Sequence, residues 1–418
     1  MKKDNGAVTF SVIGSGGRGS VYLNALEEGF KGSYSLVAVA EPDKSKQVQI
    51  MERFGLTEDH IFDTDEELLE KGRLSDVAIV TTQDKLHKRA VLGLLDKGYD
   101  IILEKPISTN LDEVIEIYNY AKKYPHQIVV VCHVLRYTLF FNTIKGIIES
   151  GELGDVVAIA HNENIGYYHF AHSYVRGSWN NSSTSAPLMV TKSCHDMDIL
   201  LYLLGGRHAR RISSFGRLSY FCEKNFNDKK MADCCVDCSI EETCPYSAIR
   251  IYNSKKIKSV VFDLSSVKKV RESLGTSKYG RCVFRCDNNV VDHQSTIIEF
   301  DDGITATFSL SAFTSKINRT LKITCERGEI RAAEKPYVIE VNNFLTGETK
   351  KLDINIGGGG HGGGDKRFIA GFMQSYKKGE MPVSSLAQSI ESHIMAFLAE
   401  KSRVEGGIPQ NVFNIELE

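Results

Sequence analysis

Two things are scarce in this 418-residue chain: charge of one sign and long apolar runs. Its 51 Lys and Arg are offset by 53 Asp and Glu, leaving a net charge of −2. That balance removes the electrostatic case for nucleic acid or an anionic membrane as a main partner. No apolar run approaches the roughly 18 residues that span a bilayer. The opening segment, MKKDNGAVTFSVIG, lacks the apolar stretch and small-residue cleavage site of a secretory signal. The expectation is a soluble, cytoplasmic protein. What is present is ordinary for a globular chain, with 42% hydrophobic and 25% charged residues. A chain of 418 residues exceeds one comfortable core, so two domains are expected.

The first third alternates apolar, β-branched runs with helix-like stretches. The runs are Val8–Ile13, Leu36–Ala40, Val77–Thr81, Ile101–Leu103 and Ile128–Val131. Between them lie Gly17–Glu28, Glu66–Lys71, Leu86–Lys97 and Leu111–Lys122, with Thr64 and Thr109 or Asn110 as N-caps. Continuous apolar strands alternating with helices mean a doubly wound parallel sheet covered on both faces, an α/β Rossmann domain over residues 1–134. Beyond it the rhythm changes. Helices are expected at Phe140–Ser150 and Leu188–Leu204, and strands at Val156–His161, Ser295–Phe300, Thr305–Ser311, Thr320–Cys325 and Tyr337–Val341. Asp301-Asp302-Gly303 joins two of these as a hairpin. With helices at Asp365–Tyr376 and Leu386–Lys401, residues 135–418 read as an α+β substrate-binding and oligomerisation domain on a mainly antiparallel open sheet.

The first run leads into Gly14-Ser15-Gly16-Gly17-Arg18-Gly19 and then a helix. Glycines there allow a tight turn, close approach to a pyrophosphate and tight helix–strand packing, and the helix start supplies amide donors for phosphate. Glu41 follows 22 residues after Gly19, at the end of the second strand, where a carboxylate accepts the ribose diol of an adenosine. An acidic residue there repels a 2′-phosphate, so NAD is favoured over NADP, although Lys44 and Lys46 close behind soften the preference. The fourth run ends in Glu104-Lys105-Pro106, which puts Lys105 at the carboxyl ends of the strands, where such sheets bind ligands. A lysine there holds a substrate hydroxyl, or acts as acid or base if its pKa is lowered.

The cysteines need separate attention, since Cys234, Cys235, Cys238 and Cys244 fall close together among ten. Cys235-x-x-Cys238 has metal-knuckle spacing, and Cys244 adds a third thiolate for a structural zinc. Cys234, Cys222 or a distant His could be the fourth ligand, and free or redox-active thiols are the other reading.

With these motifs in place, the chain resembles the Gfo/Idh/MocA oxidoreductases, NAD(P)-dependent enzymes acting mostly on sugars, inositols and their derivatives. The resemblance spans essentially the whole chain. It rests on Gly14–Gly19, Thr82-Gln83-Asp84 with His87, Glu104-Lys105-Pro106, His133–Tyr137, the stretch from Gly151 to Val156, Lys192–Asp198, and Gly-His-Gly-Gly-Gly-Asp at 360–365. It implies a dehydrogenase oxidising a ring hydroxyl of a sugar, glycoside or cyclic polyol, with Lys105 and His195 handling the hydroxyl proton. Thr82, Gln83, His87, Glu104 and Arg136 would line the cofactor cleft, and homodimers or homotetramers are expected. Some relatives oxidise a sugar only transiently on tightly bound NAD, so a glycosidase, lyase or isomerase without net redox change is the alternative. There are departures. Many relatives have Thr-Pro-Asn at Thr82-Gln83-Asp84, and an Asp at Thr191. Lys192 could then bind substrate, or Asp198 could orient the imidazole of His195. Hydride leaves a carbinol carbon only as the hydroxyl proton is taken, and a histidine suits that task. The glycine-rich Gly357–Gly364 is either a linker or a substrate loop, with His361 and Asp365 as polar contacts. Tyr137, Tyr167, Tyr168, His169 and Trp179 are candidate neighbours of a sugar face, several of them serving only in packing.

Overall fold

The computed structural model describes residues 6–257, 262–357 and 360–412, so positions 358 and 359 of the glycine-rich segment lie outside the described residues. The first sheet contains β1 (Val8–Ile13), β2 (Tyr34–Ala40), β3 (Ile61–Phe62), β4 (Val77–Val80), β5 (Asp100–Leu103) and β6 (Val129–Val131). Its order is β3-β2-β1-β4-β5-β6, and every pair is parallel. The order reverses between β1 and β4, which opens a crevice at the strand carboxyl ends. Asn110 rather than Thr109 caps the Leu111–Lys122 helix, its Oδ1 accepting Asp112 N at 2.8 Å.

The second sheet is mixed. It contains β7 (Val156–Asn164), β8 (Ala209–Arg217), β9 (His293–Phe300), β10 (Thr305–Ser311), β11 (Asn318–Cys325), β12 (Gly328–Ala333), β13 (Val338–Asn343), β14 (Thr349–Asp353) and β15 (Gln410–Asn411). The order is β14-β13-β12-β11-β7-β10-β9-β8-β15, and only β7 and β10 run parallel. The Asp301–Gly303 turn joins β9 to β10, with Asp302 and Gly303 both at positive φ. β8, β12, β14 and β15 have no counterpart among the strands expected from the sequence.

Two departures matter for the site. The Gly364–Lys378 helix belongs by position to the second domain, yet Phe368, Ile369, Phe372 and Met373 are buried among Phe10, Tyr22, Leu26 and Val130 of the first. The ring pairs Phe10–Phe372 at 6.4 Å and Tyr22–Phe368 at 5.8 Å fix that packing. The expected Leu188–Leu204 helix is broken into Leu188–Thr191 and Cys194–Leu204. In an unbroken helix the Thr191 carbonyl would accept the amide of residue 195. Here it accepts Lys105 Nζ at 2.8 Å, so an ammonium from the other sheet holds the break open.

Candidate active site

The glycine loop after β1 combines crowding and open space. Gly14 has φ +85°, and a Cβ there would stand 2.9 Å from the Thr81 carbonyl oxygen. A Cβ on Gly19 would come within 2.4 Å of the Gly14 carbonyl, so both must lack side chains for the helix to meet the strand. Gly16 and Gly17 have nothing within 4 Å of such an atom, which leaves their side of the helix start clear for a pyrophosphate. Glu41, buried at the end of β2, accepts Ser15 N and Ser15 Oγ at 2.7 Å each. Thr82 Oγ1 is buried without a hydrogen-bond partner among the described residues, and Gln83 stands exposed beside it. A cradle with open amides, a carboxylate at the second strand and an orphaned hydroxyl suits a nicotinamide dinucleotide.

Other residues expected at the cofactor are used differently. Arg18 turns to the C-terminal part of the chain, donating from Nε to Glu104 Oε1 at 2.5 Å and from Nη2 to Asp365 Oδ1 at 2.8 Å. Glu104 also accepts Tyr22 OH and the Lys105 amide. Burial raises its pKa, but Arg18 and Lys105 outweigh that and hold it below its ordinary value. His87 is fully buried, with Nδ1 2.9 Å from the Pro106 carbonyl, and so supports the Glu104–Pro106 turn from beneath. Arg136, expected at the cofactor cleft, is engaged by protein partners. Its guanidinium is bidentate to Asp198 at 2.8 and 2.7 Å and also donates to the carbonyls of Val383 and Gln388. These partners leave it tying the segment after β6 to two helices.

Lys105 and His195 meet from opposite halves of the molecule. Lys105 follows β5, and His195 sits in the first turn of the Cys194–Leu204 helix, beside the Thr191 carbonyl that Lys105 grips. Burial, then the charges of Lys105, His133, His361 and Arg319, push the His195 pKa well below the ordinary histidine value. Its imidazole is therefore neutral and able to take a proton. Asp198 does not orient it: that carboxylate holds Arg136 and lies 3.5 Å from His133 Nδ1. His133 instead contacts His195 edge-on at 5.5 Å, and His361 lies 5.9 Å away on its other side.

Beneath this pair lies a charged network that the sequence reading missed. Lys192 pairs with Glu163 at 3.0 Å. Arg319 of β11 pairs with Glu163 at 2.8 Å, Asp196 at 2.7 Å and Glu334 at 3.5 Å, and His161 reaches Asp196 at 2.8 Å. Lys192 thus meets a buried carboxylate rather than open cleft. Asp84 joins the site too. Burial raises its pKa, opposed by the charges of His87 and Lys105. Its place directly after Thr82-Gln83 was the available signal. Tyr137, expected at substrate, packs edge-on to Phe368 at 5.2 Å and bonds through its hydroxyl to Ser384 Oγ at 3.1 Å.

The zinc expectation is corrected. Cys235, Cys238 and Cys244 do line one small cavity, joined by Cys282 from far along the chain. Yet among the described residues no three His, Cys, Asp or Glu side chains converge as a metal set. Cys235 Sγ instead accepts the Ala248 amide at 3.4 Å and Arg176 Nη2 at 3.5 Å. Burial pushes the Cys282 thiol up to about 11 and raises Cys244 as well, which opposes the thiolates a metal needs. All ten cysteines are free.

Comparison with known proteins agrees with the fold. A model of an oxidoreductase family with an NAD-binding Rossmann fold matches residues 8–133, and a model of that family's C-terminal alpha/beta domain matches residues 145–244. The Bacillus subtilis protein YteT, named only as an oxidoreductase, is 24% identical over 83% of each chain. The scyllo-inositol 2-dehydrogenase (NAD(+)) of the same organism is 26% identical over 50% of this chain, which spans 58% of that relative. The inositol 2-dehydrogenase of Corynebacterium glutamicum is 20% identical over 47% of this chain and 54% of its own length. Among solved structures, a levoglucosan dehydrogenase in complex with NADH and L-sorbose superposes with a TM-score of 0.70 at 15% identity, covering 97% of this chain and 99% of that one. An Agrobacterium radiobacter oxidoreductase bound to NAD+, L-tartaric acid and magnesium gives 0.69 at 14% identity, over 97% and 98%. At these identities the superpositions speak to fold alone.

Proposed function

Because both family models fit and together cover more than half of the chain, it belongs to the Gfo/Idh/MocA oxidoreductases, and we propose that it is an NAD-dependent dehydrogenase oxidising a ring hydroxyl of a sugar, glycoside or cyclic polyol. The observation that carries this reading is the meeting of Lys105, from the first sheet, with His195, from the second half, at the carboxyl ends of the strands. The loop Gly14–Gly19 would hold the pyrophosphate, Glu41 the ribose diol, and Thr82 and Gln83 the nicotinamide side. NAD, when bound, supplies a hydride acceptor. Lys105 would hold the substrate hydroxyl by its ammonium, and His195 would take the hydroxyl proton. Residues 1–134 would form the cofactor half, lent the Gly364–Lys378 helix, and residues 135–418 the substrate half. The open face of the second sheet, with Phe215 and Ile297 exposed, would meet a second copy in a homodimer or homotetramer.

The test is a screen of cyclic polyols, sugars and glycosides with purified protein, following nicotinamide absorbance and product mass together. Oxidation of at least one of them with matching NADH is the expected result. No change in absorbance with any of them sinks the reading.

Two predictions arise here. Glu41 is buried, and Lys46 Nζ lies 3.6 Å away. Replacing its charge in Glu41→Gln removes a repulsion of order 1–4 kcal/mol toward a 2′-phosphate. The kcat/KM ratio of NADP+ to NAD+ should then rise by about tenfold or more, and an unchanged ratio would mean that Glu41 does not face the ribose. The second concerns pH. A histidine base works when neutral, and the His195 pKa is depressed in the folded protein. Neutral His195 should persist as the pH falls through the ordinary histidine range. The acid limb of kcat is therefore expected below pH 6.5, and an inflection above that value would assign the limb to another group.

A further inference from the structure

A buried guanidinium is costly unless a counter-charge and a full set of acceptors meet it. Arg176 is fully buried, and among the described residues no carboxylate pairs with it. Its Nε donates to the Arg281 carbonyl at 2.7 Å and its Nη2 to the Tyr246 carbonyl at 2.8 Å. Nη2 also reaches Cys235 Sγ at 3.5 Å, while Nη1 is buried with no hydrogen-bond partner among the described residues. Of the groups bonded to Arg176, only the Cys235 sulfur can carry a negative charge. Arg176 also ends the π-helical stretch Ala171–Arg176, and such widened turns collect at functional sites.

The surroundings of Cys235 fit an anionic sulfur. The Ala248 amide donates to it at 3.4 Å, so two N–H donors converge on one atom. A cysteine beside an arginine, at the head of a Cys-x-x-Cys, is the setting in which thiolates form. Burial raises the neighbouring Cys244 and Cys282 thiols, which stay protonated. Cys238 follows the 3₁₀ turn Cys235–Asp237, and its amide donates to the Cys235 carbonyl at 3.4 Å. In such a turn side chains three apart eclipse with about 6 Å of rise between them, within the span that a disulfide bridges. Cys235 and Cys238 line one cavity together with Arg176, Cys244 and Cys282, and it leaves room for a molecule of about water's size. The spare Nη1 of Arg176 is a donor for such a molecule.

We propose that Cys235 and Cys238 are a peroxide-reactive pair, with Cys235 as the attacking thiolate, Arg176 as its counter-charge and Cys238 as the resolving thiol. The Cys235 sulfur attacks one oxygen of hydrogen peroxide, the O–O bond breaks, and a sulfenic acid and hydroxide form. Arg176 Nη1 donates to the departing oxygen, and the hydroxide takes a proton from solvent. The Cys238 sulfur then attacks the sulfenic sulfur, the S–O bond breaks, and the hydroxide leaves with the Cys238 proton as water. The two sulfurs lose a pair of electrons to the peroxide, which ends as water. This pair needs no nicotinamide and does not rest on the dehydrogenase reading.

The experiment treats the full, reduced chain with hydrogen peroxide, followed by alkylation and peptide mass spectrometry. The expected product is a Cys235–Cys238 disulfide that dithiothreitol reverses, formed at least about tenfold faster than Cys222 or Cys234 is oxidised. In Cys238→Ser, dimedone should trap the sulfenic acid at Cys235. Arg176→Lys keeps a charge but loses the planar fork, and should slow the first step by about tenfold or more. Cys235 reacting no faster than Cys222 and Cys234, a sulfenic acid trapped at another cysteine of Cys238→Ser, or wild-type oxidation in folded Arg176→Lys overturns the proposal. Metal analysis of the purified protein is the remaining arm. One zinc per chain, released as the thiols are oxidised, would make them metal ligands and overturn it as well.

Discussion

His195→Asn and Lys105→Ala should each lower kcat by about 10²–10⁴-fold while leaving NAD affinity within a few-fold of wild type. The magnitude follows from what a positioned acid–base group contributes to a proton transfer. Burial and the charge of Lys105 disfavour the His195 imidazolium and keep the ring neutral. Lys105 would add a fixed positive charge where an alkoxide develops. The proposed cofactor groups are carried by other strands: Gly14–Gly19 follow β1, and Glu41 follows β2. Removing Lys105 or His195 therefore subtracts from the chemical step more than from dinucleotide binding. Lys105→Ala has a second consequence. It frees the Thr191 carbonyl, so the break between the two helices before His195 loses its partner. Steady-state kinetics on any substrate found, with calorimetric NAD binding, would check this. Both variants retaining wild-type kcat would show that the chemistry lies elsewhere.

Arg319→Leu, in β11 of the second sheet, should be strongly destabilising. Arg319 is the cation shared by Glu163, Asp196 and Glu334, all of them buried. Without it Glu163 keeps Lys192 and Asp196 keeps His161, but Glu334 has no other ion pair among the described residues. Breaking a buried ionic group by removing one partner costs about 3–5 kcal/mol, because the remaining charges stay desolvated. In a chain of this size that is a drop in Tm of the order of 5–10 °C. The pH dependence has a definite sign. Burial alone would raise the Asp196 pKa, but in the wild type Arg319 and His161 outweigh it and hold it low. That contribution is present above the unfolded carboxylate value and is lost as pH falls through the lower folded value. In Arg319→Leu the carboxylates near the cavity rise instead, so acidification relieves the variant, and its deficit should narrow between pH 7 and pH 5. Thermal unfolding of both proteins across that range is the measurement. A loss under about 1 kcal/mol, or a deficit that widens in acid, would show that the network is solvated.

Much of this was legible in the residues. The glycine loop, Glu41 and Glu104-Lys105-Pro106 rest on local rules: a turn that excludes side chains, a carboxylate at a strand end, a lysine at the mouth of a parallel sheet. The misreadings share one physical cause, a partner far along the chain. Arg136 finds Asp198 across 62 residues and Arg18 finds Asp365 across 347, so both guanidiniums are held by carboxylates that their local sequence does not announce. The Leu188–Leu204 periodicity is continuous as a pattern, and the break comes from Lys105, 86 residues away. The Cys235-x-x-Cys238 spacing suggested a metal, but the Ala248 amide and Arg176 claim the Cys235 sulfur.

By itself, the sequence determined that a parallel dinucleotide-binding sheet comes first and that a mainly antiparallel one follows. Those conclusions follow from periodicity and from backbone positions that only glycine can fill. The tertiary structure decided which charges face the cleft and which are spent in the interior. It set Arg136 on Asp198, Lys192 on Glu163 and Arg18 on Asp365, and left His195 neutral with His361 beside it. A balanced composition cannot reveal this. Each buried charge must find a specific opposite, and that choice is made only when distant segments fold together.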